Sequence, residues 1–160
     1  MLVALFSVDG DLHAVFTRRR ADLRNHAGQI SFPGGRRDAA DASLAATALR
    51  EAHEEIGLDP TAVRLVGALQ PTPTIATGFV IYPFVGLIEP GQVWTLSPRE
   101  VDEVLELSLR ELHKGYERRL ITRRGVTFRT DAYVSGEHVV WGATARILAD
   151  LYERLEAARG

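Results

Sequence analysis

The sequence predicts an α+β domain in which a mixed β-sheet carries a helix on each face. Two observations predict it. Short apolar runs bounded by Gly, Pro and Asp recur along the chain, and two helical patterns stand far apart among them, at residues 44–56 and about 143–155. Strands surrounding two widely separated helices are best covered by one helix on either side of a sheet. The 160 residues suffice for one domain, 46% hydrophobic and 25% charged, and no repeat or linker divides them.

Taken in order, Leu2 to Val8 reads as a strand, Asp9-Gly10 as a tight turn and Leu12 to Thr17 as the returning hairpin strand. Arg18 to Ile30 is a long arginine-rich connection, and long connections are where binding residues concentrate. Ser31-Phe32-Pro33-Gly34-Gly35 is a short extended piece ending in a corner. Asp41 or Ser43 caps a helix over Leu44 to Ile56, and Gly57 sits where a left-handed C-cap belongs. Val63 to Leu69 and Phe79 to Ile88 read as buried strands joined by a loop from Pro71 to Gly78. Asp102 to Leu107 reads as a strand and Leu109 to His113 as a helical turn. Ile121-Thr122 and Val126 to Phe128 flank Arg123-Arg124-Gly125 as a hairpin, before the final amphipathic helix.

Composition removes several function classes. A net charge of -2 gives no basic field for nucleic acid. Absence of cysteine excludes disulfides, thiolate metal sites and cysteine nucleophiles. The longest apolar run is about half a membrane span and contains Pro83, and the opening residues lack a basic lead and a cleavage site. A cytoplasmic protein without a membrane partner is expected, and a homodimer is compatible with the sequence. Lys114 is the single lysine, every other basic side chain being arginine or histidine.

The chemistry concentrates in Arg50-Glu51-Ala52-His53-Glu54-Glu55-Ile56-Gly57-Leu58. At helical spacing Glu51 lies one turn from Glu54 and Glu55, so three carboxylates share a face, while Ala45, Leu49, Ala52 and Ile56 form a neighbouring apolar stripe. Within that helix only Arg50 offsets their repulsion. A hard divalent cation, Mg²⁺ or Mn²⁺, would offset it further and suits oxygen donors. A solvated acidic helix face is the simpler account of Glu-Glu alone. Six fixed positions at roughly 6% usage each make a chance match on the order of one in ten million, so that account fails.

Gly35 through Leu58 resembles the Nudix box, Gly-x5-Glu-x7-Arg-Glu-apolar-x-Glu-Glu-x-Gly-apolar. Gly35 stands one residue further from Arg50 than in that pattern, and Asp41 takes the place of its first glutamate. The resemblance implies a Nudix-type α/β/α sandwich and hydrolysis of a nucleoside diphosphate derivative. It makes Glu51, Glu54 and Glu55 the metal ligands, Glu54 and Glu55 catalytic, and Arg50 the residue that holds them. Upstream, Thr17-Arg18-Arg19 through Leu23, His26 and Gly28 to Phe32-Pro33-Gly34-Gly35 is similar to the signature of Nudix coenzyme A pyrophosphatases. Pro83-Phe84-Val85-Gly86, Glu100-Val101 and Trp141-Gly142-x-Thr144-Ala145 are similar to that subfamily too.

By this resemblance the substrate is a small-molecule nucleotide, coenzyme A or an acyl or oxidised form. The products are 4′-phosphopantetheine and adenosine 3′,5′-bisphosphate. Arg19, Arg24, His26 and Gly35 become the candidate substrate-binding residues, with Arg19 expected to read the 3′-phosphate. Water would attack one phosphorus in line, with Glu100 as base and Glu103 as runner-up. Two alternatives stay open: a Nudix pyrophosphatase for ADP-ribose, dinucleotides or nucleoside triphosphates, and a nucleotide-sensing Nudix module without turnover.

Overall fold

The computed structural model describes residues 1–160 except Asn25, in the arginine-rich connection, and Ala76, in the connection after Pro71. In chain order the strands are β1 (Leu2–Val8), β2 (Asp11–Arg19), β3 (Ile30–Ser31), β4 (Arg64–Ala68), β5 (Thr72–Pro73), β6 (Val80–Ile81), β7 (Phe84–Leu87), β8 (Val101–Ser108), β9 (Tyr116–Arg123), β10 (Val126–Ser135) and β11 (His138–Trp141). The helices are α1 (Leu44–Ile56), α2 (Leu109–Lys114) and α3 (Ala143–Arg159), and a 3₁₀ turn spans Pro60–Ala62.

β1 explains the layering. It is apolar almost without interruption because both its faces are covered. Leu2, Ala4 and Phe6 pack with Ala48, Ala52 and Ile56 of α1. Val3 and Leu5 point the other way, into a cluster with Ile147, Leu148 and Leu151 of α3 and Leu112 of α2. The predicted sandwich is therefore present, with α1 on one face and α3, assisted by α2, on the other. β1 runs antiparallel to β2 and parallel to β7, which makes the sheet mixed. The strand order is β3-β2-β1-β7-β4, with β8 along the remaining edge of β2. Three further strands form a separate sheet in the order β11-β10-β9.

α1 has the predicted bounds. Ser43 is its cap, accepting from the Ala46 amide at 3.0 Å, and Gly57 closes it with φ 72°. Asp41 is not the cap; its carboxylate is engaged elsewhere. Asp9 and Gly10 form the tight turn, both with positive φ.

Three expectations are corrected. β4 is not a buried strand: all five of its residues are exposed, because it lies at the sheet edge beyond β7. Phe79 to Ile88 is not one strand but two. It breaks before Pro83, whose ring nitrogen has no hydrogen to donate to a ladder, and Phe79, Val80 and Tyr82 are exposed. Arg18 and Arg19 belong to β2 rather than to the connection, since β8 pairs with them through a bulge at Arg18/Arg19. Among the described residues, no helix is long and apolar enough to cross a membrane.

Candidate active site

Three elements converge because their backbones are tied. The carbonyls at the end of α1 are received by the segment before β8: Thr95 N–H donates to Ile56 O at 3.0 Å, and Ser97 N–H to Glu55 O at 2.8 Å. From there Glu100 and Val101 turn back on Ser97 O, at 3.2 and 3.0 Å, and Arg20 N–H donates to Glu100 O at 3.2 Å. This brings Glu55 of α1, Glu100 before β8 and Arg19 of β2 to the wall of one cleft of about 890 Å³. Thr17, His26, Gln29 and Gly34 line it as well. That volume suits a ligand the size of a nucleotide cofactor.

The three helix carboxylates are not equivalent. Glu55 is only 6% exposed, and its Oε2 accepts from Gly34 N–H at 3.4 Å. Burial pushes its carboxyl up to about 8, with the nearby charges of Glu100 and Glu51 adding to the effect. Glu51 is also raised by burial, against the pull of Arg50. Glu54 is the exposed member and shares Arg50: Nη1 reaches Glu54 Oε2 at 3.0 Å and Glu51 Oε1 at 3.2 Å. Among the described residues, no three carboxylate or imidazole side chains stand together closely enough to hold an ion. Ligation by all three glutamates would require Glu54 to turn away from Arg50.

Arg50 is itself clamped. Its Nε and Nη2 donate to the two oxygens of Asp41 at 2.8 and 3.0 Å, and Nη2 also donates to Arg36 O at 3.0 Å. Asp41 Oδ2 accepts in addition from Asp38 N–H and Thr47 Oγ1, each at 2.8 Å. The Arg50 guanidinium and these donors hold the Asp41 carboxyl well below the usual carboxylate range. The position read from sequence as the first glutamate therefore fixes Arg50, and Arg50 holds Glu51 and Glu54, while Glu55 is held by Gly34 N–H.

The predicted substrate residues separate. Gly35 touches the site most directly: a Cβ there would overlap the Glu51 carboxylate. Arg19 lines the cleft, its charge acts on Glu55, and its Nε is buried without a hydrogen-bond partner. His26 lines it too, its Nδ1 2.5 Å from Gln29 Oε1 and 3.3 Å from Arg123 Nη2. Arg24 is exposed and does not line the cleft. Of the two candidate bases, Glu100 lines the cleft, whereas Glu103 pairs with Arg18 at 3.2 Å and does not.

Sequence reading missed the far wall of the cleft. Arg123, Val126 and Phe128 of the β9–β10 hairpin line it with Trp141 of β11. Alternation along the hairpin was the available signal, since Phe128 and Trp141 fall on one face through their partners Ile121 and Ala132.

Comparison with known proteins gives three findings. Residues 1–125 match the family described as the NUDIX domain. The chain is 44% identical over 139 residues to a Salmonella paratyphi B protein described as an uncharacterized Nudix hydrolase, NudL, covering 86% of this chain and 72% of that one. Among solved structures, the NUDIX domain of Shewanella oneidensis NrtR complexed with ADP ribose superposes with a TM-score of 0.61 at 15% identity, over 96% of this chain and 84% of that one. A Caenorhabditis elegans Ap4A hydrolase binary complex gives 0.58 at 16% identity, over 71% and 81%. These two likenesses speak for the fold.

Proposed function

The chain belongs to the NUDIX domain family, and from that premise we propose a divalent-cation-dependent hydrolase of nucleoside diphosphate derivatives that prefers coenzyme A. The observation that carries this reading is the set of acids at the cleft: Glu55 and Glu100 line it, and Glu51 lies one turn from Glu55 on the same helix. Glu51 and Glu55 are withdrawn from water and Glu100 acts on both, while Arg50 and Arg19 offset part of their charge. Such oxygen donors fit Mg²⁺ or Mn²⁺, with Glu54 available once it releases Arg50. A cation bound there would supply charge neutralisation of the phosphate oxygens and a more acidic water.

The remaining work falls to the chain. Arg19, with its unused buried Nε, binds an oxygen of the diphosphate next to Glu55. Gly34 and Gly35 bring the backbone close enough to α1 to fix Glu55 and Glu51. Water attacks one phosphorus in line, its proton passes to Glu100, and the bond to the leaving phosphate breaks. Asp41 and Arg50 hold Glu51 in register through this step. Coenzyme A is the substrate chosen because the upstream signature through Arg19 and His26 borders this cleft.

The test is product formation from coenzyme A, dephospho-coenzyme A, ADP-ribose, dinucleotides and nucleoside triphosphates, with Mg²⁺, Mn²⁺ or excess chelator. Preferred turnover of coenzyme A, abolished by chelator, is expected. Preference for ADP-ribose overturns the substrate and leaves the hydrolase. Nucleotide binding without product overturns the hydrolase.

A further inference from the structure

Arg123 ends β9 on the cleft side of the hairpin. Cross-strand partners share a face, so Val126 opposite Arg123, Phe128 opposite Ile121, and Trp141 opposite Ala132 form one surface. Phe128 and Trp141 stand 6.0 Å apart there. The Arg123 guanidinium lies 5.9 Å from the Trp141 ring centroid, and its Nη2 lies 3.3 Å from His26 Nδ1. Arg123 is partly buried and has no ion pair with a carboxylate among the described residues. A guanidinium cannot shed its proton, so a partly desolvated one without an acid beside it is poised for an anion. The indole face orients it without neutralising it, and the His26 ring, turned to Gln29, lies beside it.

Arg19 stands differently, since its charge already acts on Glu55 at the acid end. Arg124, Arg129 and Arg146 line the cleft as well, but Arg19 serves its acid end and Arg123 its aromatic wall, so these two guanidiniums have separate anions to meet. We propose that Arg123, held over Trp141 and against His26, is a specificity-determining residue that binds a phosphomonoester carried by the substrate apart from its diphosphate. The proposal rests on the reading of the substrate as a nucleoside diphosphate derivative. It moves recognition of a 3′-phosphate from Arg19, where the sequence suggests it, to a residue 97 positions from His26 in the chain.

The experiment compares kcat/KM for coenzyme A and dephospho-coenzyme A in the wild type, Arg123→Ala and Arg123→Lys. The wild type is expected to prefer coenzyme A by about ten- to a hundredfold, the worth of one charge-assisted contact. Arg123→Ala abolishes most of that preference, and Arg123→Lys keeps part of it, because an ammonium retains the charge without the planar fork. As a ratio of two substrates on one variant, the readout is unmoved by a smaller folded fraction. A ratio unchanged in Arg123→Ala overturns the proposal. In parallel, adenosine 3′,5′-bisphosphate and adenosine 5′-monophosphate are titrated into the full chain with Mg²⁺ present. Tighter binding of the bisphosphate, lost in Arg123→Ala, is the expected result, and equal binding by the wild type overturns the proposal. If neither coenzyme A compound is hydrolysed, the substrate reading falls and the titration alone decides on Arg123.

Discussion

Gly35→Ala separates the chemistry of this site from its fold. A Cβ at Gly35 would stand 2.6 Å from Glu51 Oε2 and closer still to Cδ and Oε1. Ordinary contact between such atoms begins near about 3.5 Å, so the carboxylate must retreat by about 1 Å. What yields is the end of a flexible side chain, and Gly35 is not among the residues with positive φ, so alanine fits the backbone. Stability should therefore change by no more than about 0.5 kcal/mol, as for surface substitutions generally. A displacement of about 1 Å in a group that positions reacting atoms costs about a hundredfold in rate, which corresponds to about 2.7 kcal/mol of transition-state stabilisation. Thermal melting and kcat/KM at saturating Mg²⁺ measure the two effects on the same preparation. A double-mutant cycle with Glu51→Gln assigns the cause, because without the carboxylate the added methyl has little to displace. Gly35→Ala with a wild-type rate would refute the reasoning, and so would an equal loss in both backgrounds.

Glu55→Gln should lower kcat by about a hundredfold, as expected for a group that stabilises developing charge, and Glu54→Gln should do so if Glu54 leaves Arg50 to join the site; a near-normal rate in Glu54→Gln assigns it to Arg50 alone. Glu100→Gln should reduce kcat far more than KM, whereas Glu103→Gln, which lies outside the cleft and pairs with Arg18, should leave both near wild type; the reverse order moves the base to Glu103. Asp41 has a folded-state carboxyl below its unfolded value of about 3.9, so it contributes stability at neutral pH that is lost as pH falls below that value. Asp41→Asn should therefore melt at a lower temperature near pH 7 and lose less on acidification than the wild type, as followed by circular dichroism; parallel pH curves would contradict the assignment.

Legibility followed the range of the interactions. The bounds of α1 could be read to the residue because their signals, Ser43 and Gly57, are local. Of the stripe read as Ala45, Leu49, Ala52 and Ile56, Ala52 and Ile56 are buried, Leu49 packs at the margin, and Ala48 takes the place of Ala45 in the core. The family resemblance also lay within a single stretch, Gly35 to Leu58. β4 was misread because an apolar run does not state its place in a sheet, and the edge position follows only from pairing with β7. β5 and β11 are two and four residues long, too short to carry a period. Asp41 could be matched to a motif position, but its clasp on Arg50, nine residues on, becomes visible only with the loop folded back. Arg123 was legible only as part of a hairpin turn, since nothing near it in sequence contains His26 or Trp141.

The two walls of the cleft are built from different sheets, and this has a consequence for how the molecule can vary. The acids and Arg19 depend on the main sheet: β2 is locked to β8, and the end of α1 is received by the segment leading into β8. Moving any of these shifts the packing of α1 on β1. The far wall belongs to the three-stranded sheet, where the hairpin tip at Arg124-Gly125 and the exposed Val126 and Phe128 bear little of the core. Its ties to the main sheet lie at the base of the hairpin rather than its tip: Tyr133 and Val140 pack in the core with Phe16 and Ile30, and Arg18 Nη2 meets His138 Nδ1 at 2.8 Å. Substitutions on the hairpin can therefore change which substituents of a nucleotide are read while Glu51, Glu55 and Glu100 keep their places. On the proposed reading, chemistry sits on the buried sheet and selectivity on the hairpin, where Arg123, unlike Arg19 beside Glu55, would distinguish substrates without disturbing the acids.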